Sequence, residues 1–201
     1  GAEVARCRST LRSSVSWTSS DLDSKEAVLF VHGFVREGTL GGIDSSNLEY
    51  FGSFPKVLSK AEIDGRKFNP FLFSWQTNQK FEDVALDLAK AIKMISDKTH
   101  TKVHIVAHSY GGLTVRALVQ GKASVASNLN PDIAFATKYI ASITTIGTPH
   151  SGVFSADNGT SIDYGNETIL FPHGTDNTAG LAVNACTAIT CYQAGEDWNR
   201  L

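Results

Sequence analysis

The segment 103–112 places a serine at the turn between a buried strand and a helix. Apolar residues alternate along its first half, and a stretch typical of a helix, 113–119, follows at once. Ser109 is at the apex, with Ala107 two residues before it and Gly111 two residues after it. Small residues at these positions allow a strained turn that holds the serine hydroxyl clear of its own backbone. The segment therefore predicts a nucleophilic serine; a serine in an ordinary buried turn is the structural alternative.

A second turn earlier in the chain has a composition that complements the first. The continuous apolar run 27–31 is typical of a strand buried on both faces of a parallel sheet, and it ends in His32, Gly33 and Phe34. An oxyanion next to a serine nucleophile is held by the N–H of the following residue and by an N–H from a loop after an earlier strand. We therefore predict the backbone N–H groups of Tyr110 and Phe34 as the oxyanion-hole donors.

The order of patterns along the chain predicts an α/β fold, with a mostly parallel sheet flanked by helices. Strands are predicted at 68–75 and 139–146, a short helix at 55–60, and a longer one at 81–96, where apolar residues recur every three or four positions. Weaker patterns indicate an edge strand near 15–17, a strand at 168–171 and a helix at 181–192. We divide the chain into an arm or edge strand (1–26), a core (27–152) and a cap or lid (153–201).

The composition is that of a globular protein and gives no sign of nucleic-acid binding. The chain has 201 residues, 42% of them hydrophobic, and a net charge of −2, which is ordinary for a globular protein and indicates no surface for nucleic acid.

Cys186 and Cys191 are spaced for a disulfide if the chain turns back between them, which leaves Cys7 as a free thiol or for a bond to another chain. Two glycosylation triplets, 158–160 and 166–168, together with these cysteines favour a secreted or extracytoplasmic protein.

Three segments, 28–34, 103–113 and 142–152, resemble the bacterial true lipases of the α/β-hydrolase superfamily, and Tyr50, Phe51 and Gly52 match an aromatic–glycine helix start in that family. The resemblance implies an α/β-hydrolase fold and hydrolysis of carboxylic esters, often acylglycerols, with peripheral contact to a lipid interface. It implies Ser109 as the nucleophile, Phe34 and Tyr110 as the oxyanion donors, His150 as a structural histidine, and 173–190 as part of a lid. The family needs no organic cofactor and often holds a structural calcium ion, for which this sequence indicates no ligands.

The chain departs from the family's pattern after Gly152. The family's catalytic acid and histidine follow the Thr-Pro-His segment on two further strands, whereas the last histidine here is His173. An Asp163–His173 pair has the expected order, but ten residues leave little room for two strands with a helix between them. We therefore predict that a missing C-terminal segment or a second chain supplies the acid and the histidine. His104 and His108 are predicted to be structural.

Three functions are consistent with these patterns. The first is a lipase or carboxylesterase that forms an acyl-enzyme on Ser109. The second is a thioesterase or a lipid-anchor deacylase that uses the same turn. The third is a non-catalytic module that binds lipid or a partner and has an incomplete triad.

Overall fold

The computed structural model describes residues 9–13, 21–33, 50–75, 81–120, 137–151, 161–164 and 167–170. The strands are β1 (Ser9–Ser13), β2 (Glu26–Val31), β3 (Glu62–Ile63), β4 (Arg66–Trp75), β5 (Val103–His108), β6 (Ile140–Ile146), β7 (Ser161–Tyr164) and β8 (Glu167–Leu170). The helices are α1 (Asp21–Ser24), α2 (Phe54–Lys60), α3 (Phe81–Thr99) and α4 (Tyr110–Val119), and a 3-10 turn (Thr137–Tyr139) precedes β6.

The main sheet has the strand order β1-β4-β2-β5-β6, with the short β3 beside the start of β4. Strands β4, β2, β5 and β6 run parallel to one another, and β1 and β3 are antiparallel to β4. The prediction of a mostly parallel sheet flanked by helices is therefore confirmed. The apolar run 27–31 is buried along its whole length because β2 lies in the middle of this sheet.

The two faces of the sheet are covered by different helices. Leu29 and Val31 of β2 point to the face that packs against the apolar sides of α3 and α4. Val28 and Phe30 point to the opposite face, where Phe51 and Leu58 of α2 and its preceding turn pack against them. The three- and four-residue spacing of apolar residues in α3 accounts for its position, since it produces a single apolar face.

The strand order changes direction between β2 and β5. From β2 the chain moves to β4 on one side, and then crosses back to β5 and β6 on the other side. The connection after β2 contains α2 on one face, whereas α4 follows β5 on the other face. In open α/β sheets such a point leaves a crevice at the carboxyl ends of the two strands, where ligands bind. Gly33 and Ser109 lie at these two ends.

The structure differs from the predictions mainly at the ends of elements. The described edge strand is Ser9–Ser13, whereas the predicted one, near 15–17, lies outside the described residues. Helix α3 continues to Thr99, and α4 begins at Tyr110 rather than at 113. The strand predicted at 168–171 is β8, which pairs with β7, a strand that the sequence did not indicate. The segment 181–192 lies outside the described residues, and the division into arm, core and cap stays a prediction.

Strand β6 is the last strand of the main sheet among the described residues. It pairs with β5 on one side only, and most of its residues are exposed, including Ile143 (41%) and Ile146 (45%). No helix in the described part of the chain is long and apolar enough to cross a membrane.

Candidate active site

Ser109 occupies the turn from β5 to α4 in a backbone conformation that few non-glycine residues adopt. Its φ is 53° and its ψ is −125°. Three hydrogen bonds fix the turn: Ser109 N–H donates to Ile146 O (2.9 Å), and Ser109 O accepts from Gly112 N–H (3.0 Å) and from the Thr148 hydroxyl (2.9 Å). Such strain costs about 1–3 kcal/mol and persists only where the surroundings enforce it.

Gly33 allows the end of β2 to approach the serine turn. A Cβ atom at Gly33 would lie 2.8 Å from Ser109 Cβ, 2.9 Å from His108 O and 2.6 Å from the Tyr50 hydroxyl oxygen. Carbon atoms normally pack at about 3.5–4.0 Å, so no side chain fits at this position. The glycine after His32 is therefore required by the closeness of the two strand ends.

Two glycines at the start of α4 allow this helix to pack closely against neighbouring segments. A Cβ atom at Gly111 would collide with the main-chain carbonyl oxygens of Val31 (2.6 Å) and His32, and one at Gly112 would collide with the side chain of Thr148. Helix α4 thus lies directly against the backbone at the end of β2. This contact explains why the turn needs a glycine two residues after the serine.

Three rings form a stack beneath the strand ends. The rings of His32 and Trp75 are 5.7 Å apart at 20°, and those of Trp75 and Tyr110 are 5.6 Å apart at 18°. All three residues are completely buried. His32 Nε2 accepts a hydrogen bond from the backbone N–H of Trp75 (3.1 Å). The other ring nitrogen, Nδ1, therefore carries the hydrogen and donates to the backbone oxygen of Gly33 (2.8 Å). Both nitrogens of His32 are therefore engaged in fixing the ends of β2 and β4.

Tyr50 lies on the α2 face of the sheet and contacts both the turn at Gly33 and the turn at Ser109. Its hydroxyl oxygen is 2.6 Å from His108 Nδ1, and the two groups share a hydrogen bond. Burial raises the pKa of Tyr50 above its ordinary value, although a hydrogen bond with the Gly33 backbone opposes the shift. Since His108 is held by Tyr50 and directly precedes Ser109 in a strand, this contact supports the prediction of a structural role for His108.

The predicted oxyanion donors are placed only in part. The N–H of Tyr110 belongs to the first turn of α4, where helix N–H groups have no acceptor within the helix and the helix dipole favours negative charge. The side chain of Tyr110 is anchored in the ring stack, which fixes this N–H relative to Ser109. Phe34 lies outside the described residues.

No described histidine makes a hydrogen bond with the Ser109 hydroxyl. His150 Nε2 is 3.1 Å from the Thr145 hydroxyl, which agrees with a structural role, and its carbonyl accepts from Arg116 (2.6 Å). His100 is exposed and lies 3.8 Å from Asp23. The sixth histidine, His173, and the three cysteines lie outside the described residues.

His104 belongs to a polar cluster at the opposite, amino edge of the sheet. Its Nε2 donates to Glu26 Oε1 (3.0 Å), and its Nδ1 is 2.7 Å from Ser142 Oγ. Arg66 donates twice to the same carboxylate, at 2.6 Å each. The hydrogen bond from Arg66, aided by His104, lowers the pKa of Glu26 to about 2 although burial opposes the shift. The cluster holds β2, β4, β5 and β6 together far from Ser109.

A metal site is not found in the described part of the chain, where no three histidine, cysteine or acidic residues cluster. Asp163 lies in β7, and its predicted partner His173 is outside the described residues. The structural calcium ion suggested by the resemblance stays a prediction.

Residues 23–169 match the family model described as "Putative serine esterase (DUF676)". The chain belongs to this serine esterase family. The matched range includes β2, the serine turn and β6, the elements that form the candidate site. The α/β fold predicted from the sequence, a mostly parallel sheet flanked by helices, is confirmed by the strand order.

Several solved structures are similar to this serine esterase family member. The Bacillus licheniformis lipase BlEst2 in its mature form has 20% identity and a TM-score of 0.46 over 74% of this chain and 50% of the lipase. Its propeptide form has 20% identity and a TM-score of 0.47 over 76% of this chain and 28% of that one. The peroxisomal α/β-hydrolase Lpx1 of Saccharomyces cerevisiae has 14% identity and a TM-score of 0.41 over 78% and 42%. No curated protein sequence matches the chain.

This serine esterase family member spans half or less of the length of these proteins.

The candidate site also contains two residues that the sequence patterns did not indicate. Trp75 and Tyr50 were assigned no part in the site, yet Trp75 lies between His32 and Tyr110, and Tyr50 contacts both turns. One signal was available for Trp75, because it ends a strand parallel to β2 and so must lie at the same edge of the sheet.

Proposed function

We propose that this chain is the nucleophile-bearing part of a serine esterase that hydrolyses carboxylic esters, most of all lipid esters of the kind cleaved by bacterial true lipases. The observation that carries the proposal is the conformation of Ser109, at φ 53° on a strand-to-helix turn where the strand order reverses. A strained serine at this position is the arrangement that presents a hydroxyl to a substrate above the sheet. Family membership supports the same class of reaction.

In the proposed reaction, Ser109 Oγ attacks the ester carbonyl while a histidine takes its proton. The negative charge that develops on the carbonyl oxygen is held by the N–H groups of Tyr110 and Phe34. Loss of one such donor typically lowers the rate by about two to three powers of ten. The alcohol leaves with a proton from the histidine, and water then releases the acid from the acyl-enzyme.

We further propose that the histidine and its acid come from polypeptide beyond this chain, either a C-terminal continuation or a second chain. The engagement of the described histidines with other partners supports this proposal. The outer side of β6, where no described strand pairs, supports it as well, because a parallel strand added there would end at the same edge as Ser109. The exposed side chains of Ile143 and Ile146 would be covered by such an addition.

Labelling with a fluorophosphonate probe tests the proposal, since the probe reacts with serines activated by a base. The chain and a longer form of the protein are each treated, and labelled sites are read by intact mass and peptide mapping. We expect labelling of the longer form at Ser109, its loss in Ser109→Ala, and no change in the matched control Ser151→Ala, an exposed serine after β6. Labelling elsewhere, or none in any folded form, contradicts the proposal.

Rates on matched substrates then define the ester class. An active form should hydrolyse oxygen esters, and faster still at a lipid interface. Faster cleavage of the thioester with the same acyl chain would contradict a lipase or carboxylesterase and favour the thioesterase alternative. A secreted or extracytoplasmic location stays a prediction from the sequence.

A further inference from the structure

A cavity opens on the α2 face of the sheet, away from the serine turn. Its volume is about 150 Å³, and it is partly open to solvent. Its walls come from β1, β2, β4 and the start of α2, and its side chains are mostly apolar: Phe30, Phe51, Pro55, Pro70 and Leu72, with Arg12 among them. An apolar cavity of about 150 Å³ is large enough to bind a ligand the size of benzene, so this one has room for part of an alkyl chain.

The strand register explains how one cation joins an apolar wall. Arg12 pairs with Leu72 across β1 and β4, and Leu72 pairs with Phe30 across β4 and β2. Residues in register project to the same face, so the three side chains form a single row. The guanidinium group thus lies at the outer end of a row whose inner members are apolar.

Arg12 has no counter-ion in the described part of the chain. No described acidic residue forms an ion pair with it, and none of the described residues that line the cavity is acidic. Arg66, in contrast, is held by Glu26. A planar guanidinium group offers two parallel N–H donors that match the two oxygens of a carboxylate.

We propose that this cavity binds an amphipathic carboxylate, a fatty acid anion, with its chain against Phe30, Phe51 and Leu72 and its carboxylate on Arg12. A neutral lipid would leave the cation unused, and a compact inorganic anion would leave the apolar wall exposed to water. The site is separate from the serine turn, since none of Gly33, Ser109 and Tyr110 lines it. The proposal therefore does not rest on the proposed esterase activity.

Paired titrations with octanoate and octanol test the proposal on the full chain, because the two ligands share an alkyl chain and differ in charge. Binding is followed by chemical-shift changes of assigned backbone amides at ligand concentrations below micelle formation. We expect octanoate to bind more tightly than octanol and to shift the amides of Arg12, Phe30 and Leu72. Equal affinities, or shifts confined to other parts of the chain, overturn the proposal.

Three variants assign the preference to Arg12. Arg12→Gln should weaken octanoate binding about threefold to tenfold and leave octanol unchanged, because an exposed charge pair is partly screened by water. Arg12→Lys should keep most of the preference, and the control Lys102→Gln, which removes an exposed charge at the amino edge, should keep all of it. A preference that survives Arg12→Gln refutes the assignment.

A filling variant locates the alkyl chain. Leu72→Trp should reduce binding of both ligands, since the larger ring occupies the cavity. If this variant fails to fold, the Arg12 variants still decide, because Arg12 is exposed on an edge strand and its replacement leaves the core intact.

Discussion

Replacement of Gly111 by alanine sets two opposite effects against each other. Gly111 lies in the first turn of α4, and alanine is favoured over glycine in a helix by about 1 kcal/mol. The added methyl group, however, would lie 2.6 Å from Val31 O and closer still to His32 O. The sign of the change in the free energy of unfolding therefore shows whether helix preference or packing against β2 dominates.

Packing should dominate, because both obstructing atoms belong to the main chain. Overpacking costs about 1–3 kcal/mol, and the upper end applies where no side chain can rotate away. Relief of the clash requires α4 to move from the end of β2, which the ring stack of Trp75 and Tyr110 resists. Subtracting the helix preference of about 1 kcal/mol leaves a destabilisation of about 2 kcal/mol.

Urea unfolding followed by far-ultraviolet circular dichroism measures this difference. At a typical slope of about 2 kcal/mol per molar urea, we expect the midpoint to fall by about 1 M. Gly65→Ala is the matched control: no atom lies within 4 Å of the added methyl group, and only the cost of a φ of +76° applies. An alanine at position 111 that leaves the protein as stable as the wild type, or stabilises it, would refute the close packing of α4 on β2.

Other predictions follow from the same contacts. Ser109→Gly should be more stable than Ser109→Ala by about 1 kcal/mol in urea unfolding, because glycine adopts a φ of 53° without strain; equal stability would show that the turn is relaxed. Tyr50→Phe should lower the free energy of unfolding by about 1 kcal/mol through loss of the hydrogen bond to His108. Because burial raises the pKa of Tyr50, the variant should also lack one tyrosine that ionises at high pH in an ultraviolet titration of the wild type. An unchanged titration would contradict this burial. Glu26→Gln should destabilise the protein at pH 7 through loss of the pair with Arg66. The difference in stability from the wild type should shrink as pH falls from about 4.5 to about 2, because the pKa of Glu26 in the folded protein is lowered to about 2 and only the ionised carboxylate stabilises the fold. A difference that does not depend on pH would argue against the pair.

The parallel core could be predicted from the sequence because burial on both faces leaves a clear pattern. The run 27–31 has no polar residue, and the spacing in α3 follows one apolar face, so both were recognisable. Strand β1 left no such pattern: it contains one apolar residue, Leu11, among serine, threonine and arginine. Backbone pairing with β4 holds it in place, and that interaction depends little on side chains.

The candidate site was predictable where local chemistry dictates the residue. Ser109 and Gly111 satisfy a turn whose requirements can be read from neighbouring positions. Contacts between distant segments could not be read in this way, since Tyr50 and His108 are 58 residues apart and meet only when α2 and β5 are placed on the sheet. The sequence predicts that Gly33 belongs to the turn that shapes the oxyanion hole, whereas its closeness to Ser109 Cβ is a property of the assembled strands.

The ring stack gives the candidate site a built-in optical reporter. Trp75 is one of three tryptophans in the chain, has no exposed surface, and lies between His32 and Tyr110. In a variant whose other two tryptophans, Trp17 and Trp198, are replaced by phenylalanine, emission would come from this ring alone. Any change that separates the ends of β2, β4 and α4 would let water reach the indole and shift its emission to longer wavelength. The fluorescence of one residue would thus follow the geometry around Ser109 during unfolding, partner addition or ligand binding, without a label or a substrate.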